Sequence, residues 1–357
     1  MKTLTLVSTG FGRPERSELR RLELADEYPR TLLYEEMLNS DILDERFLGQ
    51  VPRFRKLLYR PLPIIVRQLI EAYIIKRRYE AIISWSEKHG LLFALLLKLT
   101  ASRVPHVALF SWISKPKKAL LLRFAQSHID KIVLWSTYQH DVAVNQLRIP
   151  PSKIVLLRWF VDVKFFRPMA AETDMICAVG FEMRDYPTLI EALRELDIRC
   201  HIAVGTGRAV RGQGQVNGTG KPLPSGVTVG KKSYRELRDL YARSRFVVVP
   251  ILPASDTDNG VTAILEAMAM GKPVICSRVK AQTDVIREGV TGFYVPPGDP
   301  EALRDAIAYL WDHPDKAVEM GREGRSHVEA NHTMEGFYEG VEWAVEGAIA
   351  LRRQRAD

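Results

Sequence analysis

With 357 residues the chain exceeds the usual size of a single hydrophobic core, which predicts two domains. Hydrophobic residues at 46% beside charged residues at 26% exclude a large disordered fraction, and no low-complexity tract or internal repeat is visible. Fifty-one Lys and Arg against 43 Asp and Glu leave a net charge of +8, which favours polyanions or anionic surfaces as partners and says nothing about fold.

Thr3 to Ser8 predicts a first strand, followed by Thr9-Gly10-Phe11-Gly12, a loop whose glycines let a backbone approach a ligand. The apolar run at this end is too short for a signal peptide, so the expectation is a cytoplasmic protein. Between Arg46 and Tyr79 stand nine Lys or Arg and one acid, Glu71, interleaved with Phe54, Leu57, Leu58, Tyr59, Ile64, Ile65, Leu69 and Ile74. Lys115, Lys117, Lys118 and Arg123 likewise surround Leu120 to Leu122. Such a mixture suits the interface of an anionic membrane, and equally a core-facing helix with a solvated basic face. Nucleic acid ranks last as a partner, because no stacking platform or recognition motif accompanies the charge.

Ala81–Trp85, His106–Phe110 and Lys131–Trp135 predict further strands, with helices around Leu91–Leu99 and Ala119–Ala125 between them. That alternation makes one α/β domain. The longest wholly apolar run, Leu91 to Leu97, is far short of the roughly 20 residues of a membrane span. Glu87 and His89 follow a predicted strand, where a loop would face a crevice, and His89 reads as a ligand contact, a helix cap or an exposed residue.

A second strand–helix alternation runs through Met175–Gly180, Arg199–Val204, Val227–Val229 and Phe246–Ile251, and predicts a second doubly wound domain. Arg208 to Gly226 is rich in Gly, Pro and polar residues without a hydrophobic period, and predicts a mobile loop. Cys177, Cys200 and Cys276 each fall in a predicted strand, so they read as small buried residues and not as a disulfide or metal set. Helices are expected at about 301–312 and 315–330, and helical periodicity continues from about Glu335 to Arg353.

The most informative stretch is Ser255 to Cys276. A buried strand precedes it, Thr262 to Met270 is made of strong helix formers ending at Gly271, and Pro273-Val-Ile-Cys276 is another strand, so the order is that of a βαβ unit. The loop at the end of such a strand faces the ligand crevice, and the helix after it points free amides there. Gly260 removes a side chain where a diphosphate would approach, while Gly260, Val261 and Thr262 offer N–H groups. Asn259 sits in the same loop. Glu266, one turn inside the helix, can reach back to a ribose hydroxyl, and Asp258 can accept hydrogen bonds from sugar hydroxyls.

Asp258 and Glu266, separated by seven residues, with Glu266-Ala-Met-Ala-Met-Gly-Lys-Pro-Val-Ile275, resemble the retaining nucleotide-sugar glycosyltransferases of GT-B fold, the group 1 or family 4-like enzymes. Asp258 stands where that family normally has Glu. The resemblance implies two doubly wound Rossmann-like domains facing across a cleft. Ile154–Pro168 resembles the family's end-of-domain sequence, with Trp159-Phe160 replacing the usual Asn-Gly. The implied domains are 1–168 on the acceptor side and 169–334 on the donor side, with a last helix of about 335–357 returning to the first. Gly180 to Ala192 resembles the phosphate-binding loop, with Arg184 at the family's Lys position and Phe181 where an Arg is usual. A guanidinium can hold phosphate bidentately, whereas the plainer reading of Arg184 is a surface ion pair with Asp185. By the same resemblance Gly10 and Gly12 border the donor phosphates and Gly230 lies beside the nucleobase, while Ser111-Trp112 takes the place of a His often found near the reacting sugar.

The implied reaction is transfer of a hexose from a nucleotide-diphosphate sugar, with retention and without a metal cofactor. The acceptor would be a lipid-linked or cell-surface glycan precursor at the cytoplasmic face of the membrane. A soluble small-molecule acceptor, a nucleotide-sugar epimerase and a non-catalytic nucleotide-sugar-binding protein of the same fold are the alternatives.

Overall fold

The computed structural model describes residues 1–7, 13–206 and 222–354. Contacts divide the chain into two compact units: Met1–Gly12, Thr31–Arg158 and Glu335–Asp357 form the first, and Arg13–Arg30 with Trp159–Met334 the second.

The first unit is built on six parallel strands, β1 (Thr3–Val7), β2 (Ser40–Leu43), β3 (Ala81–Trp85), β4 (His106–Leu109), β5 (Lys131–Leu134) and β6 (Ile154–Leu156), in the order β2-β1-β3-β4-β5-β6. The inner strands β1, β3, β4 and β5 are buried on both faces, which is why they read as continuous and not as alternating, while the edge strands β2 and β6 are partly exposed. Helices Ile64–Ile75, Glu87–Leu99 and Pro116–Ala125 supply the crossovers. The last helix, Met334–Arg353, docks by Arg352 on buried Asp130, 2.9 Å away, and by Phe337 beside Trp85 and Trp135.

The second unit repeats the plan with β7 (Met175–Val179), β8 (Cys200–Thr206), β9 (Val227–Lys232), β10 (Ser244–Val249), β11 (Val274–Ser277) and β12 (Gly292–Val295), ordered β12-β11-β10-β7-β8-β9 and parallel throughout. From β7 the chain winds outward one way through β8 and β9, and from β10 the other way through β11 and β12. The boundary between β7 and β10 is therefore the switch point, where loops part and leave a crevice. Alternate residues fill two cores: Cys177, Val179, Val247, Val249 and Cys276 on one face, and Ile176, Ala178, Cys200, Val248 and Ile275 on the other. All three cysteines are free and buried, as their strand positions predict.

Residues Trp159 to Pro168, which sequence marks as the end of the first domain, pack with the second unit, and so does the segment 13–30. Ion pairs settle both placements. Asp162, 3% exposed, takes the Arg30 guanidinium at 2.7 Å and the Arg30 amide at 2.8 Å. Asp26 binds Arg167 at 2.7 Å and Arg238 at 2.9 Å, and these partners, Arg167 first, hold its carboxyl down at about 2.

Candidate functional site

At the end of β7 the chain turns at Gly180, whose φ of +110° suits only glycine. Three contacts then stitch the loop to the exit of β10: the Asp185 amide donates to the Pro250 carbonyl (3.1 Å), the Leu252 amide donates to the Met183 carbonyl (3.0 Å), and Arg184 bridges Ile251. Arg184 is thereby turned inward and left 7% exposed. Its Nε donates to the Val179 carbonyl and its Nη1 to the Glu182 carbonyl, each at 2.9 Å. A Cβ on Gly180 would come within 2.8 Å of the guanidinium carbon, so the glycine is what lets the arginine lie across the loop. The ion pair with Asp185 does not form, because that carboxylate caps the helix Tyr186–Ala192 through the Thr188 amide (3.3 Å) and hydroxyl (2.7 Å).

After β10, the Ile251 amide donates to the Ser277 hydroxyl at 2.9 Å, fixing the start of the second loop. Asn259 donates to the Ser255 hydroxyl (2.9 Å), so its amide shapes the loop. The Thr257 hydroxyl donates to Asp258 at 2.9 Å. Gly260 has φ +95°, and this left-handed turn brings the Val261 amide onto the Asp258 carbonyl at 3.1 Å. The expected trio of amides is thus reduced by one. Among the described residues those of Gly260 and Thr262 have no backbone acceptor, and they stand at the positive end of the helix Val261–Ala269. A Cβ on Gly260 would lie 3.6 Å from Arg184 Nη1, which places the guanidinium beside the helix start.

Glu266 lies on that helix, 6% exposed, and accepts a hydrogen bond from the Tyr241 hydroxyl at 2.8 Å. Burial pushes its carboxyl up to about 7, with the tyrosine hydrogen bond working the other way. Arg184, Thr262 and Glu266 come together around one cavity of ≈ 160 Å³, completed by Gly180, Phe181, Ala203, Tyr234 and Leu237. Asp258, partly exposed in its loop, and Gly230, in β9, do not line it. Gly10 and Gly12 lie outside the described residues, as does most of the Arg208–Gly226 loop.

Two aromatic residues escaped the sequence reading. Tyr234 and Tyr241 project from the helix Tyr234–Arg243, started by a full capping box at Ser233 and Glu236. Their spacing, with Leu237 between, is an apolar stripe at positions i, i+3 and i+7, which marks them as inward-facing. Periodicity does not single out a phenol that touches a carboxylate.

In the first unit, Glu87 accepts from the Ser111 and Trp112 amides, both at 2.7 Å. His89 is neither exposed nor poised for a ligand. It is 3% exposed and held by Ser86 (2.8 Å) and Gln68 (2.9 Å), and burial pushes its imidazole down to about 4. Gln68 in turn donates to the Val7 and Leu43 carbonyls, so the group ties the ends of β1 and β2 together.

The arrangement at the switch point offers a guanidinium and helix amides to an anion, and a carboxyl near its ionisation point to a hydroxyl. Comparison with known proteins places a family match over the same part of the chain. Residues 176–313 match the family model described as "Glycosyl transferases group 1". A 65-residue stretch is 43% identical to the D-rhamnosyltransferase WbpZ of Pseudomonas aeruginosa, covering 18% of this chain and 17% of that protein, so the match spans under a fifth of the relative's length. Among solved structures, sucrose-phosphate synthase from Thermosynechococcus elongatus aligns over 98% of this chain and 99% of its own, with TM-score 0.74 and 17% identity. Anabaena HepE in complex with UDP and glucose aligns over 97% and 99%, with TM-score 0.69 and 16% identity. Residues 176–313 are thus similar to the group 1 glycosyltransferases, and the chain has the GT-B fold.

Proposed function

We propose that the protein transfers a hexose, with retention of configuration, from a nucleotide-diphosphate sugar to a lipid-linked or cell-surface glycan precursor at the cytoplasmic membrane face. The observation that carries this reading is the convergence of Arg184, Thr262 at the helix start and Glu266 on one cavity at the switch point, with Gly260 beside the guanidinium. The relative named as a rhamnosyltransferase and the structural neighbour holding UDP and glucose support the choice of donor class.

Each role follows from charge. Departure of a nucleoside diphosphate leaves negative charge on the phosphate that loses the sugar, and Arg184 with the Gly260 and Thr262 amides answers it without a metal ion. Arg184 does this without the second cation usual in the family, since Phe181 occupies that place. Glu266, once ionised, accepts from the ribose hydroxyls, and Asp258 accepts from the sugar. Phe181 lines the same cavity as the guanidinium.

The test is transfer from a panel of radiolabelled nucleotide-sugars in the presence of a lipid extract. Wild type should release nucleoside diphosphate and label an acceptor, Arg184→Ala should lose about 10²–10³ in rate, and Glu266→Ala should lose most transfer while remaining folded. Near-normal transfer by either variant would overturn the assignment, and donor binding with no turnover of any sugar would make the protein a binding module.

A further inference from the structure

The short helix Arg53–Tyr59 in the first unit is anchored by its polar side and bare on its apolar side. Arg55 Nη1 donates to Glu71 Oε1 at 2.7 Å and the Tyr59 hydroxyl donates to Glu71 Oε2 at 2.6 Å, with Glu71 2% exposed on the helix Ile64–Ile75. The opposite side carries Phe54, Leu57 and Leu58, at helical spacing i, i+3 and i+4, which are 64%, 71% and 67% exposed. The core-facing reading of the Arg46–Tyr79 stretch holds for Tyr59, Leu69 and Ile75, which are buried, but not for Phe54, Leu57 and Leu58, which point away from the unit's interior. Arg53, Lys56 and Arg60 surround them, all exposed and with no carboxylate partner among the described residues. Glu71 is the one acid between Arg46 and Tyr79, and both its oxygens are occupied by Arg55 and Tyr59.

Three adjacent large apolar side chains ringed by unpaired cations match the two layers of an anionic bilayer surface, with acyl chains below and phosphates above. A second copy of the chain fits poorly, since a two-fold contact would set the same cations against each other with no acid between them. A nucleic acid would satisfy the charges and leave the leucines in water. We infer that this helix is a membrane-contact element, inserting Phe54, Leu57 and Leu58 at the boundary of headgroups and acyl chains while Arg53, Lys56 and Arg60 bind lipid phosphates. It gives the lipid-linked acceptor of the proposed reaction a place to be met, yet it rests on the first unit's surface alone, so donor chemistry can fail without it.

Co-sedimentation of the full chain with vesicles tests the inference. The protein should pellet with phosphatidylserine-containing vesicles and not with phosphatidylcholine alone, and binding should weaken as salt rises. The triple variant Phe54→Ser, Leu57→Ser, Leu58→Ser should partition at least roughly tenfold more weakly, and Arg53→Ser, Lys56→Ser, Arg60→Ser should lose the salt dependence. Both should melt like wild type, because every altered side chain is exposed. Leu120→Ser, Phe124→Ser, on another helix with exposed apolar residues, should bind as wild type. Wild type remaining in the supernatant at low salt would overturn the inference. So would unchanged binding by the Phe54 triple, equal loss from the Leu120 pair, or a dimer in light scattering that the Phe54 triple abolishes.

Discussion

Glu266 is a carboxyl at the edge of ionisation in a site that is proposed to use it ionised. Its ordinary value of 4.5 is raised to about 7 by burial, which makes the charged form costly to fold. The sign follows directly. Below 4.5 the group is protonated in folded and unfolded chains alike, and the penalty grows as pH rises to 7, where it is complete at about 3 kcal/mol. Glu266→Gln should therefore stabilise the protein by about that amount at pH 8 and by little at pH 4.5, measured by urea denaturation across the range. A difference independent of pH would contradict the burial account. Sequence exposed Glu266 through its place on a helix after a strand, and Arg184 through resemblance to a phosphate loop. Tyr241 was not legible, because nothing in spacing distinguishes a core tyrosine from one whose hydroxyl meets a carboxylate. The loss of the Val261 amide was hidden for a related reason: it depends on Gly260 being left-handed, a dihedral that glycine permits without requiring.

Among elements, the inner strands were legible, since parallel strands buried on both faces must be continuous apolar runs, whereas the edge strands Ser40–Leu43 and Gly292–Val295, half-exposed and short, were not. The connection between β10 and the helix Val261–Ala269 shows how much one glycine settles. Gly260 combines φ +95° with a would-be Cβ 2.8 Å from Val249 Cγ1. Gly260→Ala should cost about 1–3 kcal/mol and should push the helix start away from Arg184, so that nucleoside diphosphate affinity falls further than stability does. Full affinity in a folded Gly260→Ala protein would show that the helix start does not contribute. The segment 13–30 is the opposite case, an element whose placement sequence could not reveal. Its attachment depends on Arg30 meeting Asp162 and on Asp26 meeting Arg167 and Arg238, partners more than a hundred positions away with no local pattern to announce them.

At the scale of the whole molecule, each unit is a doubly wound sheet with a switch point, and the second unit's switch point carries the cavity. The plan of two doubly wound sheets was legible, because the chain length and the two strand–helix alternations point the same way. Functional residues of the first unit were not legible, and the buried His89 shows why: a histidine after a strand satisfies a structural network as readily as a substrate. The central claim is that the cavity bounded by Arg184, Thr262 and Glu266 holds the diphosphate of the donor. The most direct measurement is the thermal shift of wild type and Arg184→Ala with a panel of nucleoside diphosphates, since a ligand that binds only the folded state raises Tm once its concentration exceeds Kd. The account predicts a concentration-dependent rise for wild type with at least one nucleotide and its near-complete loss in Arg184→Ala, whereas equal shifts in the two proteins, or none with any nucleotide, would contradict it.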